Sequence, residues 1–449
     1  MSNAPVTAEK VLPPALPSSG YSRVYKHYVL IIMMLVYACN ALDRQILSVL
    51  LEPIKQDLGL SDTQLGLLSG MGFALFYATM GVPIARWADR HSRVNLISVA
   101  IVLWSGMTAL SGAASNFLQL GLARVGVGVG EAGCTPPAHS LIADYFESGE
   151  RVRAMAIYSL GLPIGVALGY LLGGWINEIY GWRMAFICVG LPGLLLAVVV
   201  RFTVREPIRG QSDGVEVTDE LQPLTEVFRF LWNERSFRHL SIATGLLAFA
   251  AYGGATWFPA FLIRSHGMST GEIGSWLAPI SIAGGVTGTL LGGYLATKLG
   301  KTNRGWYAWL PAVATLLSIP FTVLALLASS SLWVMVLVIP SVVAPAVHAA
   351  PVYSTVQGLV EPRMRATTTA ILFLITNLIG LGLGPLCIGI VSDLLAPHFA
   401  EESLRITLLL GLGISVWSAW HFFLAGRALN AKKSTPQYSP TTTDCAGDQ

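Results

Sequence analysis

Runs of about twenty apolar residues recur along the whole chain, and a run of that length is what an α-helix needs to cross a bilayer. They predict twelve helices, near 26–51, 62–86, 94–114, 117–145, 153–178 and 182–204, then 237–264, 271–298, 304–328, 331–357, 364–395 and 403–428. Composition agrees. Soluble domains carry about 25% charged residues, whereas this chain of 449 residues has 12%, with 53% hydrophobic and a mean hydropathy of +0.60. The expected fold class is therefore an all-α membrane protein. Between the sixth and seventh runs, residues 205–235 carry Pro207, Gly210, Asp213, Gly214, Glu216, Asp219, Glu220 and Pro223 and read as a linker. The end of that linker, around 224–234, fits a short amphipathic helix on the membrane surface. The chain divides into an N-terminal tail (1–25), a six-helix bundle (26–204), the linker (205–235), a second six-helix bundle (236–428) and a C-terminal tail (429–449).

Charge placement fixes an expected orientation. With a cytoplasmic N-terminus, 22 of the 28 Lys and Arg fall in segments on that side and four (Lys55, Arg183, Arg264, Arg405) on the other. The positive-inside rule then puts both termini, and both tails, in the cytoplasm. A net charge of +3, with no basic block interleaved with aromatics, gives no support for a nucleic-acid partner. The five cysteines (Cys39, Cys134, Cys188, Cys387, Cys445) show no CxxC or Cys/His spacing, so neither a metal nor a cofactor is expected. Residues 1–25 contain four prolines and no apolar core, so no cleavable signal peptide is expected. No HExxH, paired catalytic aspartates or Ser/Lys arrangement points to an enzyme. The absence of any Asn-x-Ser/Thr acceptor is compatible with a bacterial plasma membrane.

Inside the apolar runs a few charges survive. Asp43 and Arg44 lie in helix 1, and Arg124 and Glu131 in helix 4. A charge at the centre of a spanning helix costs roughly 2.5–3.5 kcal/mol on insertion scales, so each is expected to face protein or water. Arg124 and Glu131 are seven residues apart, about two turns, and share a face. A carboxylate in a low-dielectric setting resists ionising, and a nearby arginine favours its charge. Movement relative to an arginine can therefore load and unload a proton on Glu131, the expected principal carrier, with Asp43 as its partner in coupling. Asp43 and Arg44 are adjacent and point about 100° apart. The reading adopted here pairs Asp43 with Arg124 and leaves Arg44 in the cavity, where its planar fork suits a phosphate or carboxylate. The alternative keeps the Asp43–Arg124 pair and has Arg44 snorkelling outward. Phe73 and Tyr77 on helix 2, with Tyr252, Trp257 and Phe258 on helix 7, are candidates to line an apolar cavity. His348 stands between Pro345 and Pro351, where helix 10 is expected to break; His139 and His348 are more in keeping with packing than with function.

The halves repeat. Ala85-Arg86-Trp87-Ala88-Asp89-Arg90-His91-Ser92-Arg93 after helix 2 corresponds, 208 residues later, to Gly293–Lys301 after helix 8. Arg151-Val152-Arg153-Ala154 corresponds, 212 residues later, to Arg363-Met364-Arg365-Ala366. Near-constant offsets in helices of equal rank imply duplicated six-helix halves of the same orientation.

The Asp89-Arg90-x-x-Arg93 loop resembles the major facilitator signature between helices 2 and 3, with Leu120-x-x-x-Arg124-x-x-x-Gly128 similar to the family's helix 4 motif. Leu42-Asp43-Arg44, Pro53-Ile54-x-x-Asp57, Ser61-Asp62-x-Gln64-x-Gly66 and Gly126-x-Gly128-x-Gly130-Glu131-Ala132 resemble the spinster branch. That resemblance implies a major facilitator fold of two pseudo-symmetric bundles, alternating access, and a monomer that moves lysophospholipid- or sphingolipid-like amphiphiles in a proton-linked cycle. It also implies a cytoplasmic gate latch of Asp89, Arg90 and Arg93, with Asp144, Glu147 and Arg151 as candidate partners. Ala85 and Ser92 stand where the signature has glycine, and Thr297 replaces an acid in the second copy. A proton-coupled symporter of small carboxylates is the competing reading; the lack of a mid-helix Lys or Arg in helices 7–12 favours amphiphiles.

Overall fold

The computed structural model describes residues 21–208, 224–360 and 364–431, and the outer parts of both tails lie outside them. Twelve spans follow one another. Span 1 is Arg23–Leu58, opened by Ser22, whose side chain accepts from the Tyr25 amide, and closed at Gly59 in the left-handed region (φ 63). Span 2 comprises Asp62–Ser69 and Met71–Arg90; span 3 is Arg93–Ser111. Span 4 comprises Phe117–Glu131 and Thr135–Tyr145, span 5 Ser148–Ser159 and Gly161–Tyr180, and span 6 is Trp182–Thr203. A linker helix, Leu224–Asn233, lies where an amphipathic segment was expected. In the second half, span 7 is Arg235–His266, span 8 Thr270–Gly300 and span 9 Trp306–Leu327. Span 10 comprises Ser331–Ala346 and Ala349–Gly358, interrupted at His348 as Pro345 and Pro351 predict. Span 11 runs Arg365–Thr376, a π-helical stretch Asn377–Leu383, and Gly384–Phe399; span 12 is Ser403–Ala431.

Long, uniformly apolar helices account for every span except the second and fourth. Those two are broken, as spans 5, 10 and 11 are, but without a run apolar enough on either side of the break. In span 4 the cause is local: Pro136 and Pro137 cannot donate to the preceding turn, so the helix ends at Glu131 and restarts at Thr135. The break falls directly after the proposed proton carrier.

Packing differs between the two ends of the molecule. At the end opposite the linker, one apolar core draws on both halves: Leu50, Ile54 and Leu65 join Trp257, Phe261 and Ile388. At the linker end the cores separate. One is built almost wholly from spans 1–6 around Trp104 and Tyr145, and another from spans 7–12 around Phe237 and Phe422. The halves are thus fused at one end, called the latched end below, and keep separate cores at the other.

Candidate substrate and proton site

Asp43, Arg124 and Glu131 are buried, at 2%, 2% and 0% exposure, while the Arg44 side chain keeps 27%. The charges of spans 1 and 4 therefore face protein, and Arg44 alone retains a substantial opening. Span 4 comes this close because it has no side chains in the way: a Cβ on Gly128 would lie 2.8 Å from the Phe73 carbonyl, and one on Gly130 2.7 Å from the Trp104 amide.

The pairing differs from the sequence expectation. Arg44 Nε donates to Glu131 Oε2 in a buried ion pair. No ion pair joins Asp43 to Arg124: Asp43 Oδ1, Arg124 Nε and Nη1, and Glu131 Oε1 are all buried without a hydrogen-bond partner. Geometry gives the reason. Neighbouring residues on one helix face different directions, and it is Arg44 that reaches the end of the Gly-rich helix where Glu131 sits. Asp43 points instead into the fully buried part of span 1. A buried polar group without a partner costs about 1–3 kcal/mol, so these four atoms form a strained polar cluster beside the ion pair.

Aromatic rings complete the wall. The Arg44 guanidinium carbon lies 4.6 Å from the centre of the Tyr77 ring and 5.1 Å from that of Phe73. The Arg124 guanidinium carbon lies 5.8 Å from the centre of the same Phe73 ring, and the Phe73 and Tyr77 rings stack at 5.5 Å. Tyr252, 40% exposed, lies on span 7. Trp257 and Phe258 do not line this region. Trp257 is fully buried, with Nε1 donating to the Pro385 carbonyl at 2.8 Å, and Phe258 packs beside Phe261 in the latched-end core. Their large apolar faces answer a packing need where the halves are fused. Tyr37 and Tyr158, stacked at 4.8 Å with His139 edge-on to Tyr158, form a further aromatic group that spacing alone did not single out.

At the linker end, Arg93 donates to Asp144 at 2.5 Å and to Glu206 at 2.7 Å, with further bonds to Ser140 and the Pro207 carbonyl. Glu206 was not foreseen; its position in the linker hid it. Arg93 thus ties spans 3 and 4 to the start of the linker, all within one half. Arg151 donates to the Phe146 carbonyl at 3.2 Å, and Arg90 is exposed. The Asp89 side chain lies outside the described residues.

The latched end carries a charge cluster that the sequence reading counted only as stray residues. Arg264 of span 7 makes a bidentate contact with Asp62 (2.7 and 2.8 Å) and donates Nε to Glu52 at 2.6 Å. Lys55 and Ser392 also donate to Asp62, at 2.6 and 2.7 Å. Arg264 is one of four cations on its side of the chain, and that rarity was the available signal. Glu52, Lys55, Asp62 and Arg264 line a polar pit of about 490 Å³.

Comparison with known proteins fits this geometry. Residues 33–385 match the model of the Major Facilitator Superfamily. A bacterial homologue of the human lysosomal transporter spinster, solved in an inward-facing and unoccupied conformation, superposes with a TM-score of 0.84 at 35% identity, covering 94% of this chain and all of that one. An MFS-type efflux pump of Mycolicibacterium smegmatis is 34% identical over 88% of this chain and 91% of its own length. A cis,cis-muconate transport protein of Acinetobacter baylyi is 28% identical over 63% of this chain and 68% of its own. With an all-helical fold of twelve spans, charges turned inward and a family match over most of its length, the chain belongs to the major facilitator superfamily and, within it, to the spinster branch.

Proposed function

We propose that the protein is a proton-coupled secondary active transporter that moves lysophospholipid- or sphingolipid-like amphiphiles by alternating access, as a monomer, in a bacterial plasma membrane with both termini in the cytoplasm. The observation that carries the reading is the buried Arg44–Glu131 pair beside the stacked Phe73 and Tyr77. An anionic headgroup competes with Glu131 for the Arg44 guanidinium. When the headgroup binds, Glu131 loses its counter-ion inside a low-dielectric site and takes a proton; when the headgroup leaves, the pair re-forms and the proton is released. Substrate and proton are then taken up together and released together at one site. The Phe73 and Tyr77 faces, and Tyr252 across the seam, offer apolar area to the chain of the substrate.

The fused end opposite the linker and the separate cores at the linker end support an inward-facing arrangement, in keeping with the inward-facing relative. Asp43 is placed as a second proton group, because its Oδ1 is buried without a partner close to the same pair. Arg93 with Asp144 and Glu206, together with Asp89, Arg90 and Arg151, is read as the cytoplasmic latch. A second reading, symport of small carboxylates, draws on the unpaired Nε and Nη1 of Arg124 and on the muconate-transporting relative.

Proteoliposome uptake under an imposed pH gradient separates the two. Lysophospholipids and phosphorylated sphingoid bases are expected to accumulate, and muconate-like dicarboxylates are not. Accumulation of dicarboxylates alone refutes the amphiphile reading, and uptake indifferent to the gradient refutes proton coupling.

A further inference from the structure

At the latched end two carboxylates from equivalent helices perform one task. Asp393, on span 11, accepts from the Asp62 amide at 3.0 Å and from the Thr63 amide at 2.7 Å, at the start of span 2. Glu178, on span 5, accepts from the Gly271 amide and the Ser269 hydroxyl, both at 2.7 Å, at the start of span 8. Each carboxylate thus caps the second helix of the opposite half. Free amides at a helix start carry partial positive charge, so an anion there satisfies orphan donors and meets the favourable end of the helix dipole.

The correspondence is positional as well as chemical. Spans 2 and 8 both open on a capping box, Ser61 with Gln64 and Ser269 with Glu272. These are 208 residues apart, the offset of the loop repeat that follows the same two spans. Glu178 and Asp393 are 215 apart, and so are Gly174 and Gly389. A Cβ on Gly174 would lie 2.2 Å from the Thr270 carbonyl, and one on Gly389 2.2 Å from the Asp62 carbonyl. Gly66 and Gly274, again 208 apart, sit 2.6 Å and 2.4 Å by the same measure from the carbonyls of Pro385 and Tyr170. Carboxylate, close glycine and capped helix therefore recur as one unit, twice, related by the pseudo-symmetry of the halves. The Arg-x-Arg motifs that begin at Arg151 and Arg363 are 212 apart in the sequence, so the stretch leading to Asp393, which contains the π-helical turn of span 11, has gained three residues and still delivers Asp393 to the equivalent amides.

We infer that Glu178 and Asp393 are a matched pair of positioning residues for transport: each holds the far half by its helix start, and the outer mouth opens only when both caps are given up. Neither touches substrate. The pair makes opening a concerted step, because a carboxylate leaving one seam gains nothing while the other seam still holds the halves together.

The test measures distances by double electron–electron resonance in liposomes, with labels at Tyr180→Cys and Leu394→Cys in a background lacking the native cysteines. These sites are exposed and lie in opposite halves at the latched end. Glu178→Gln and Asp393→Asn are each expected to raise the open-to-closed ratio roughly two- to fivefold, the worth of a charge at a helix start, and the double variant by about the product. Asp393→Glu, which keeps the charge, is expected to restore the parent distribution. Glu272→Gln is the control for general weakening, since Glu272 caps only its own span. An unchanged double variant, or an equal shift from Glu272→Gln, overturns the inference. The inference rests on alternating access but on no particular substrate, and the two fail differently. A parent with no open population under any condition refutes alternating access; an open population indifferent to both caps refutes the caps alone.

Discussion

The buried charges between spans 1 and 4 and the charges at the latched end are made from the same residue types, yet they are satisfied very differently. Asp62 receives Arg264 through two nitrogens, Lys55 and Ser392, and Arg264 reaches Glu52 as well. In the interior, one ion pair stands among orphans: Asp43 Oδ1, Arg124 Nε and Nη1, and Glu131 Oε1 have no partner. Saturated charges hold a shape. Unsaturated ones carry a desolvation cost that the ion pairs around Asp62 do not. On the function proposed above, one end grips and the middle exchanges partners.

The sharpest way to break this contrast is to damage the grip. Arg264→Ala leaves Glu52 and Asp62 buried with fewer donors, and removing one partner of a buried pair typically costs about 3–5 kcal/mol. It is expected to lower the thermal midpoint and shift the distance distribution at the latched end towards open; an unaltered midpoint and distribution contradict the assignment. Glu131→Gln attacks the chemistry instead. Gradient-driven accumulation is expected to fall by about a hundredfold or more, the lower range for losing a positioned proton-transfer group, while downhill exchange survives. Accumulation that keeps its full gradient dependence removes Glu131 as carrier. Gly389→Ala tests the grip through shape alone. A methyl 2.2 Å from the Asp62 carbonyl has nowhere to go, and overpacking of this kind costs about 1–3 kcal/mol. The open state should gain population with every charge intact, as the same distance measurement reads. Arg44→Lys is the mildest: it keeps the charge and loses the flat contact with Tyr77 and Phe73, about 0.5–2 kcal/mol. The apparent KM for substrate should rise a few-fold with coupling retained, and loss of coupling in this variant places Arg44 among the proton groups.

Much of this was legible in the chain. Twelve apolar runs and two near-equal offsets were enough for the architecture, because bilayer thickness and duplication both leave their mark along the sequence. The interior location of Asp43, Arg44, Arg124 and Glu131 followed from the cost of charge in lipid. Their pairing did not. Adjacent Asp43 and Arg44 are bound to diverge, but which of them meets Glu131 depends on how span 1 is rotated against span 4, and that is set by contacts at Gly128 and Gly130. Trp257 looked like a cavity residue because aromatic spacing does not distinguish a lining face from a packed one. The latch at Asp62 was invisible for a different reason: Arg264 lies 202 residues away, and nothing local announces a partner so distant. Asp62 after Ser61 and Glu272 after Thr270 read as helix starts with an acid in the first turn, yet such a signal says nothing of an acid arriving from another bundle.

The interruption after Glu131 has one further consequence. Proline nitrogens at 136 and 137 leave the carbonyls of Ala132 and Gly133 without their customary helical donors, so the span is held between Glu131 and Thr135 by single turn bonds, Gly133 to Gly130 and Cys134 to Glu131. Asp144 stands on the far segment, paired with Arg93. On the cycle proposed above, this joint between the central carboxylate and the linker-end ion pair is where span 4 would bend.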